Sequence, residues 1–260
     1  SWFNFLLINN KPIILKYDGN YYFPALKAPP AIGPFSPQLK DPYTWETFGE
    51  PDRGRIEPNY RQLNELFEIE DKGNWMIMPL YPYSPYESLL GELDGTPPTA
   101  PSSTNILGTD ANGGRDVFAR MAYAFNYTIS FALVVTSISY VIGIAIGALL
   151  GYLGGRFDIF GQRFIEIFST IPYLYTIIII RESFDDPPGL MGLALILVGF
   201  SWMGMTYYIR GEFYREKAKD YVSAAISLGS STRRVIVKHI LPNALTPIIT
   251  FAPFAIMGNI

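Results

Sequence analysis

The chain has 260 residues, 49% of them hydrophobic, a formal net charge of −3 and no cysteine. That composition allows one or two domains, excludes disulfides and thiolate metal sites, and lacks the basic excess of a nucleic-acid binder. The apolar residues are unevenly spread, with long runs after Asn126 and a polar, Pro- and Tyr-rich first hundred residues.

In chain order, the opening "SWFNFLLINN" shows no signal-peptide pattern and reads, over residues 1–9, as the end of a truncated transmembrane helix. "PIILKYDGNYYFPAL" predicts a β-hairpin, because two β-branched and aromatic runs meet at Asp18–Gly19, a favoured tight-turn pair. "EPNYRQLNELFEIEDKG" predicts a short helix with Leu63, Leu66 and Phe67 on one face and Gly73 as its stop. From Pro79 to Pro101 the chain is rich in Pro, Tyr and Ser, which predicts an extended, ordered loop.

Three runs then reach membrane-spanning length, for which a helix needs roughly 20 apolar residues. They are Tyr127 to Leu153, Phe164 to Ile180 and Leu190 to Ile209; a fourth begins near Ala244 and is still apolar at Ile260. One such run could be a buried core helix, but three and part of a fourth predict a polytopic membrane protein. Pro172 removes a ladder hydrogen bond and is expected to bend the second span. Glu166 pairs with Arg163 at its boundary, near Asp158.

Basic residues collect on the cytoplasmic side of membrane proteins. The first connection, "GGRFDIFGQR", carries Arg156 and Arg163, and the next carries Glu182, Asp185 and Asp186. The stretch from Arg210 to His239 has seven basic and three acidic residues. Basic, acidic, basic is an even weave, which places residues 1–125 outside and the last connection in the cytoplasm. Ser1 to Asn105, with eight Lys/Arg against thirteen Asp/Glu, suits an outside position.

In the first span Ser139, Gly143, Gly147, Gly151 and Gly155 recur every fourth residue. They predict a ridge of small residues about 24 Å long, against which another helix can pack closely. No hydrolytic constellation is present. His239 is the only histidine, so neither a Ser-His-Asp triad nor a two-histidine metal site can form. Asp110 and Asp116 flank "ANGGR" but make a poor cation site, and no Walker-type phosphate loop occurs.

The last connection is the most informative. "KAKDYVSAAISLG" predicts a helix with Tyr221, Ala225 and Leu228 on one stripe, ended by Gly229. Ser230, Ser231 and Thr232 can cap a second helix, "TRRVIVKHI", which runs to a break at Leu241–Pro242. Two short helices with small residues outward form a natural docking surface for a soluble partner. A hairpin lying on lipid is the alternative.

This stretch resembles the signature loop of the permease subunits of binding-protein-dependent ATP-binding-cassette importers. "HILPN", "LGTDANGGRDVFARMAYAF", "GYLGGRFD" and "YVSAAISLG" match the dipeptide and oligopeptide branch in order. The insertion beginning "KPIILKYDGNYYFP" is similar to that of microcin C and oligopeptide uptake permeases. Two residues depart from the general signature: Ser223 stands where glutamate is preferred, and His239 where isoleucine is frequent.

The resemblance implies an all-α polytopic membrane protein with a MetI-like transmembrane fold and a small mixed α/β extracytoplasmic insertion. Residues 10–105 would form the insertion and 106–260 the transmembrane domain, with 210–243 as its cytoplasmic coupling loop. Further spans are implied before Ser1 and after Ile260. The implied setting is the bacterial cytoplasmic membrane. The implied partners are a second permease subunit, two ATPase subunits, an extracytoplasmic peptide-binding protein and membrane lipid, with no cofactor bound to this chain. Tyr221, Ser223, Ala224, Ala225 and Gly229 would meet the ATPase, while Leu241 and Pro242 would fix the return to the membrane. A passive channel and a membrane-anchored extracytoplasmic enzyme are the rival readings from other classes.

Overall fold

The computed structural model describes residues 4–27, 41–50, 57–70, 72–93, 95–183 and 189–260. The chain divides into two units, Ser1–Thr128 and Ile129–Ile260, with the division inside one long helix.

The first unit starts with α1 (Asn4–Leu7), then β1 (Ile14–Tyr17) and β2 (Asn20–Tyr22). Asp18 and Gly19 have φ of 47° and 77°, both positive, as the two-residue hairpin turn requires. Tyr17 therefore faces Asn20, and the register continues to Leu15 opposite Tyr22. After α2 (Pro24–Lys27) come a 3-10 turn (Trp45–Phe48) and α3 (Tyr60–Glu70). β3 (Trp75–Ile77) then pairs antiparallel with β1, giving the sheet order β2-β1-β3. Three residues carry too little alternation for β3 to be expected from the sequence.

One face of this sheet is the core of the unit. Leu15, Tyr17, Tyr22 and Met76 pack over Trp45, Phe48, Tyr60, Leu63 and Phe67, with Leu66 partly buried. Tyr60, Leu63 and Phe67 share a helix face because they are three and four residues apart. Tyr17 stacks on Phe67 at 5.8 Å and meets Phe48 edge-on at 5.7 Å. The Pro-rich stretch is tied down by Arg61 of α3, which pairs with Glu87 at 2.8 Å and Glu92 at 2.9 Å and donates to the Pro82 carbonyl at 2.6 Å.

α4 (Val117–Leu153) is 37 residues long and starts ten residues before the expected span. Asp116 sets that start: its buried carboxylate accepts the Ala119 N–H at 2.7 Å, capping the first turn.

In the second unit the rest of α4 is followed by α5 (Gly155–Ser169), α6 (Tyr173–Glu182) and α7 (Leu190–Lys217). The "GGRFDIFGQR" segment, read from its charges as a connection, is instead the start of α5. The expected second span is thus two helices, α5 and α6, meeting at 65°. Pro172 precedes α6 directly and disfavours helical backbone at Ile171, so it breaks the helix as well as bending it. Asp185 and Asp186 lie outside the described residues.

Beyond α7 come α8 (Asp220–Ser227), α9 (Thr232–Arg234), a π-helical turn (Val235–Ile240), α10 (Leu241–Ala244) and α11 (Thr246–Gly258). Helix runs on through Leu241 and Pro242, which corrects the expected break there. Pro242 sits in the first turn of α10, after the wide π turn, where its missing N–H is tolerated. The chain bends three residues later, by 59° around Leu245. By length and composition α4 and α7 can each cross a membrane, and each bent pair can form one further span. Large apolar side chains such as Phe160, Ile167 and Leu195 point outward, as lipid-facing residues do.

Candidate functional site

α8 ends in a Schellman turn. The Ser230 N–H donates to the Ala225 carbonyl at 3.1 Å and the Gly229 N–H to Ile226 at 2.9 Å. That geometry needs left-handed backbone at Gly229, where φ is 80°, and a side chain there would meet no atom of the chain within 4 Å. Val222 packs in one cluster with the buried Val235 and Ile240 and Ala225 is buried too, while Ser223 and Ala224 face outward. Leu228 is 87% exposed, which corrects the expected Tyr221–Ala225–Leu228 stripe. It lies past the last helical residue, where the turn into Gly229 carries it away from the inner face. Ser231 occupies the cap position of α9 without a side-chain cap bond; its carbonyl accepts the Val235 N–H at 3.0 Å.

Tyr221 turns its hydroxyl back toward the helix ends. It donates to the buried Glu216 carboxylate at 2.7 Å, accepts from Asn243 Nδ2 at 3.1 Å and lies 3.1 Å from the His239 carbonyl. Lys219 Nζ reaches the same glutamate at 2.7 Å. Burial, and then the bond to Glu216, push the Tyr221 hydroxyl above its ordinary pKa, so it keeps its proton.

The glycines of α4 form the seat for α7. A Cβ on Gly143 would stand 2.6 Å from the Trp202 carbonyl, on Gly147 2.7 Å from that of Thr206, and on Gly151 2.8 Å from that of Arg210. Only glycine permits this approach. Ser139 is buried above them. Gly155 does not belong to the ridge: α4 ends at Leu153, Gly154 turns out with φ of 65°, and Gly155 begins α5 with no neighbour within 4 Å.

A pair missed at the sequence level locks α5 to α7. Arg210 grips the buried Asp158 through two bonds of 2.5 and 2.6 Å, and the Tyr214 hydroxyl adds a third at 2.7 Å. The partners are 52 residues apart, so no local pattern links them. Glu166 and Arg163 do pair, at 2.6 Å, on an exposed face.

In the first unit the "GTDANGGRD" loop spends both its carboxylates on structure. Asp110 accepts the Arg115 N–H and pairs with Arg120, while Asp116 holds Tyr81 and Asn105 besides its cap bond. Among the described residues no group of three or more His, Cys, Asp or Glu could hold a metal ion.

Residues 143–260 match the family model of the binding-protein-dependent transport system inner membrane component. The chain is 36% identical, over 98% of its length and 69% of the relative's, to the inner membrane ABC transporter permease protein YejE of Escherichia coli. The chain belongs to the ABC transporter permeases. The permease is also 34% identical to the peptidoglycan transport system permease protein YejE of Agrobacterium fabrum, over 98% of its length and 67% of that protein's. With the oligopeptide transport system permease protein OppC of Haemophilus influenzae it shares 33% identity over 60% of its length and 49% of that protein's. A permease is a non-catalytic transport subunit, working with a partner permease, ATPase subunits and a binding protein. Members of this family are inner membrane components, and the apolar helices of this permease suit that setting.

Proposed function

We propose that the permease forms half of the translocation pathway of an ATP-driven peptide importer and couples to the ATPase through residues 210–243. The observation that carries this is the outer surface of α8, which presents Ser223, Ala224, Leu228 and Gly229 to solvent on a rigid, Schellman-capped helix. An exposed leucine beside small residues is the chemistry of a helix-in-groove contact, with the small residues allowing close approach. Tyr221 and Ala225 would support that surface from within, and Leu241 and Pro242 would carry the chain on toward α11. Two ATPase subunits, a second permease and an extracytoplasmic binding protein complete the assembly.

The charge weave supports residues 10–105 as an extracytoplasmic α/β insertion and 106–260 as the transmembrane domain. Peptide is the substrate class named for the oligopeptide relatives, and the resemblance of the insertion to that of microcin C uptake permeases is what favours peptide antibiotics of that type. Uptake of a labelled oligopeptide beside a microcin C-like peptide-nucleotide would separate these.

The docking reading is tested by pulling down the detergent-solubilised complex with wild-type permease, Leu228→Asp and Gly229→Asp. Wild type is expected to retain the ATPase and both variants to lose it, while the two permeases stay together. Retention by both variants would overturn the docking surface. Loss from wild type as well would favour a lipid-lying hairpin and a passive channel.

A further inference from the structure

We propose that Tyr221 acts inside the permease, as a clasp that makes α8 move together with the end of α7 and the helices leading into α11. This rests on the coupling reading above and assigns Tyr221 a role other than contact with the ATPase. It is a positioning residue.

Three elements converge on one oxygen. Glu216 lies in the last turn of α7, His239 in the π turn and Asn243 in α10, and each has a polar atom within 3.1 Å of the Tyr221 hydroxyl. A tyrosine hydroxyl has one proton to give and lone pairs to receive. The shortest contact, 2.7 Å, takes the proton to Glu216, and a lone pair receives one N–H of Asn243. The Asn243 Nδ2 also lies 3.2 Å from the His239 carbonyl, so its second hydrogen closes the circuit. Glu216 is only 3% exposed, and a buried carboxylate depends on such donors.

The clasp is separate from the packing that holds α8 in place. Val222, Val235, Ile240 and Ala244 form a fully buried apolar layer that does not involve the hydroxyl. Removing one oxygen should therefore leave the helix pair folded while freeing α8 to tilt on that layer. A push on α8 from the ATPase would then be absorbed locally, and less of it would reach α7 and α11.

The test uses the whole transporter in proteoliposomes with its binding protein and a fluorescent oligopeptide. Wild type, Tyr221→Phe, Asn243→Ala and the double variant are compared. All four are expected to retain the ATPase and to hydrolyse ATP. Peptide transported per ATP should fall about tenfold in each single variant, since Tyr221→Phe loses the bond to the charged Glu216 and Asn243→Ala loses its two bonds, to the Tyr221 hydroxyl and the His239 carbonyl. The double variant should be no worse than either single one, because both cut the same circuit. Unchanged transport per ATP in Tyr221→Phe would overturn the clasp. So would loss of the ATPase from that variant, which would make Tyr221 a docking contact. Failure of wild type itself to hold the ATPase would sink the coupling reading instead.

Discussion

The two units cohere by different contacts. In the first, bulky aromatics go inward: Tyr17, Trp45, Phe48, Tyr60 and Phe67 fill the space between a three-stranded sheet and α3. In the second, many of the bulky residues face outward, and at the seam between α4 and α7 glycines meet backbone carbonyls and the Cβ atoms of Met205, Ile209 and Phe213. Water drives the first arrangement, since removing aromatic surface from it is favourable. Lipid is as apolar as leucine, so it offers no such drive; helices cohere there by contact distance and dispersion. Cohesion by volume and cohesion by closeness respond to opposite substitutions.

The largest expected effect is at the closest approach. Gly151→Leu puts a side chain where Phe213 Cβ already lies 2.6 Å from the Cβ position, so α4 and α7 must separate. The expected cost exceeds about 3 kcal/mol, beyond ordinary overpacking, and monodisperse protein should be lost on size-exclusion chromatography. Gly211→Leu on α7, with nothing within 4 Å, is the tolerated control. If both behave alike, the seam is not what holds the unit.

Next in size is truncation in the first unit. Phe48→Ala should cost about 3 kcal/mol, read as a lower unfolding midpoint by tryptophan fluorescence, for which the neighbouring Trp45 serves as probe. Phe160→Ala, on an outward face of α5, should cost no more than about 0.5 kcal/mol in detergent. Equal losses would erase the contrast between the units.

The smallest effect sharpens the edge of the seam. Gly155→Ala meets no atom but sits at φ of 56°, so it should cost about 1 kcal/mol through backbone strain alone. Thermal unfolding in detergent would show it. A loss as large as that of Gly151→Leu would return Gly155 to the ridge.

Features that depend on neighbours in sequence were legible. Asp18–Gly19 announced a turn needing two positive φ values, and Gly229 the left-handed end of α8. Apolar length marked α4 and α7. At the candidate site, the inward Ala225 and outward Ala224 follow from helical spacing once one face is known. What was illegible depended on partners far along the chain or on short elements. β3 was too brief to show a period. The charges of "GGRFDIFGQR" suggested a loop, because nothing local tells that Asp158 has Arg210 to bury it. Leu241–Pro242 looked like a break because a π turn leaves no mark on composition.

The sequence by itself determined the turns at Asp18–Gly19 and Gly229, the long apolar stretches of α4 and α7, and the family, since these rest on backbone preferences and on short local motifs. Only the tertiary structure decided which face of each helix meets another, that α5 is locked to α7, and that the Tyr221 hydroxyl turns back onto Glu216. A helix apolar on every side carries no internal signal of its own orientation. Its rotation is set by whichever neighbour comes closest, and that neighbour is chosen by the fold.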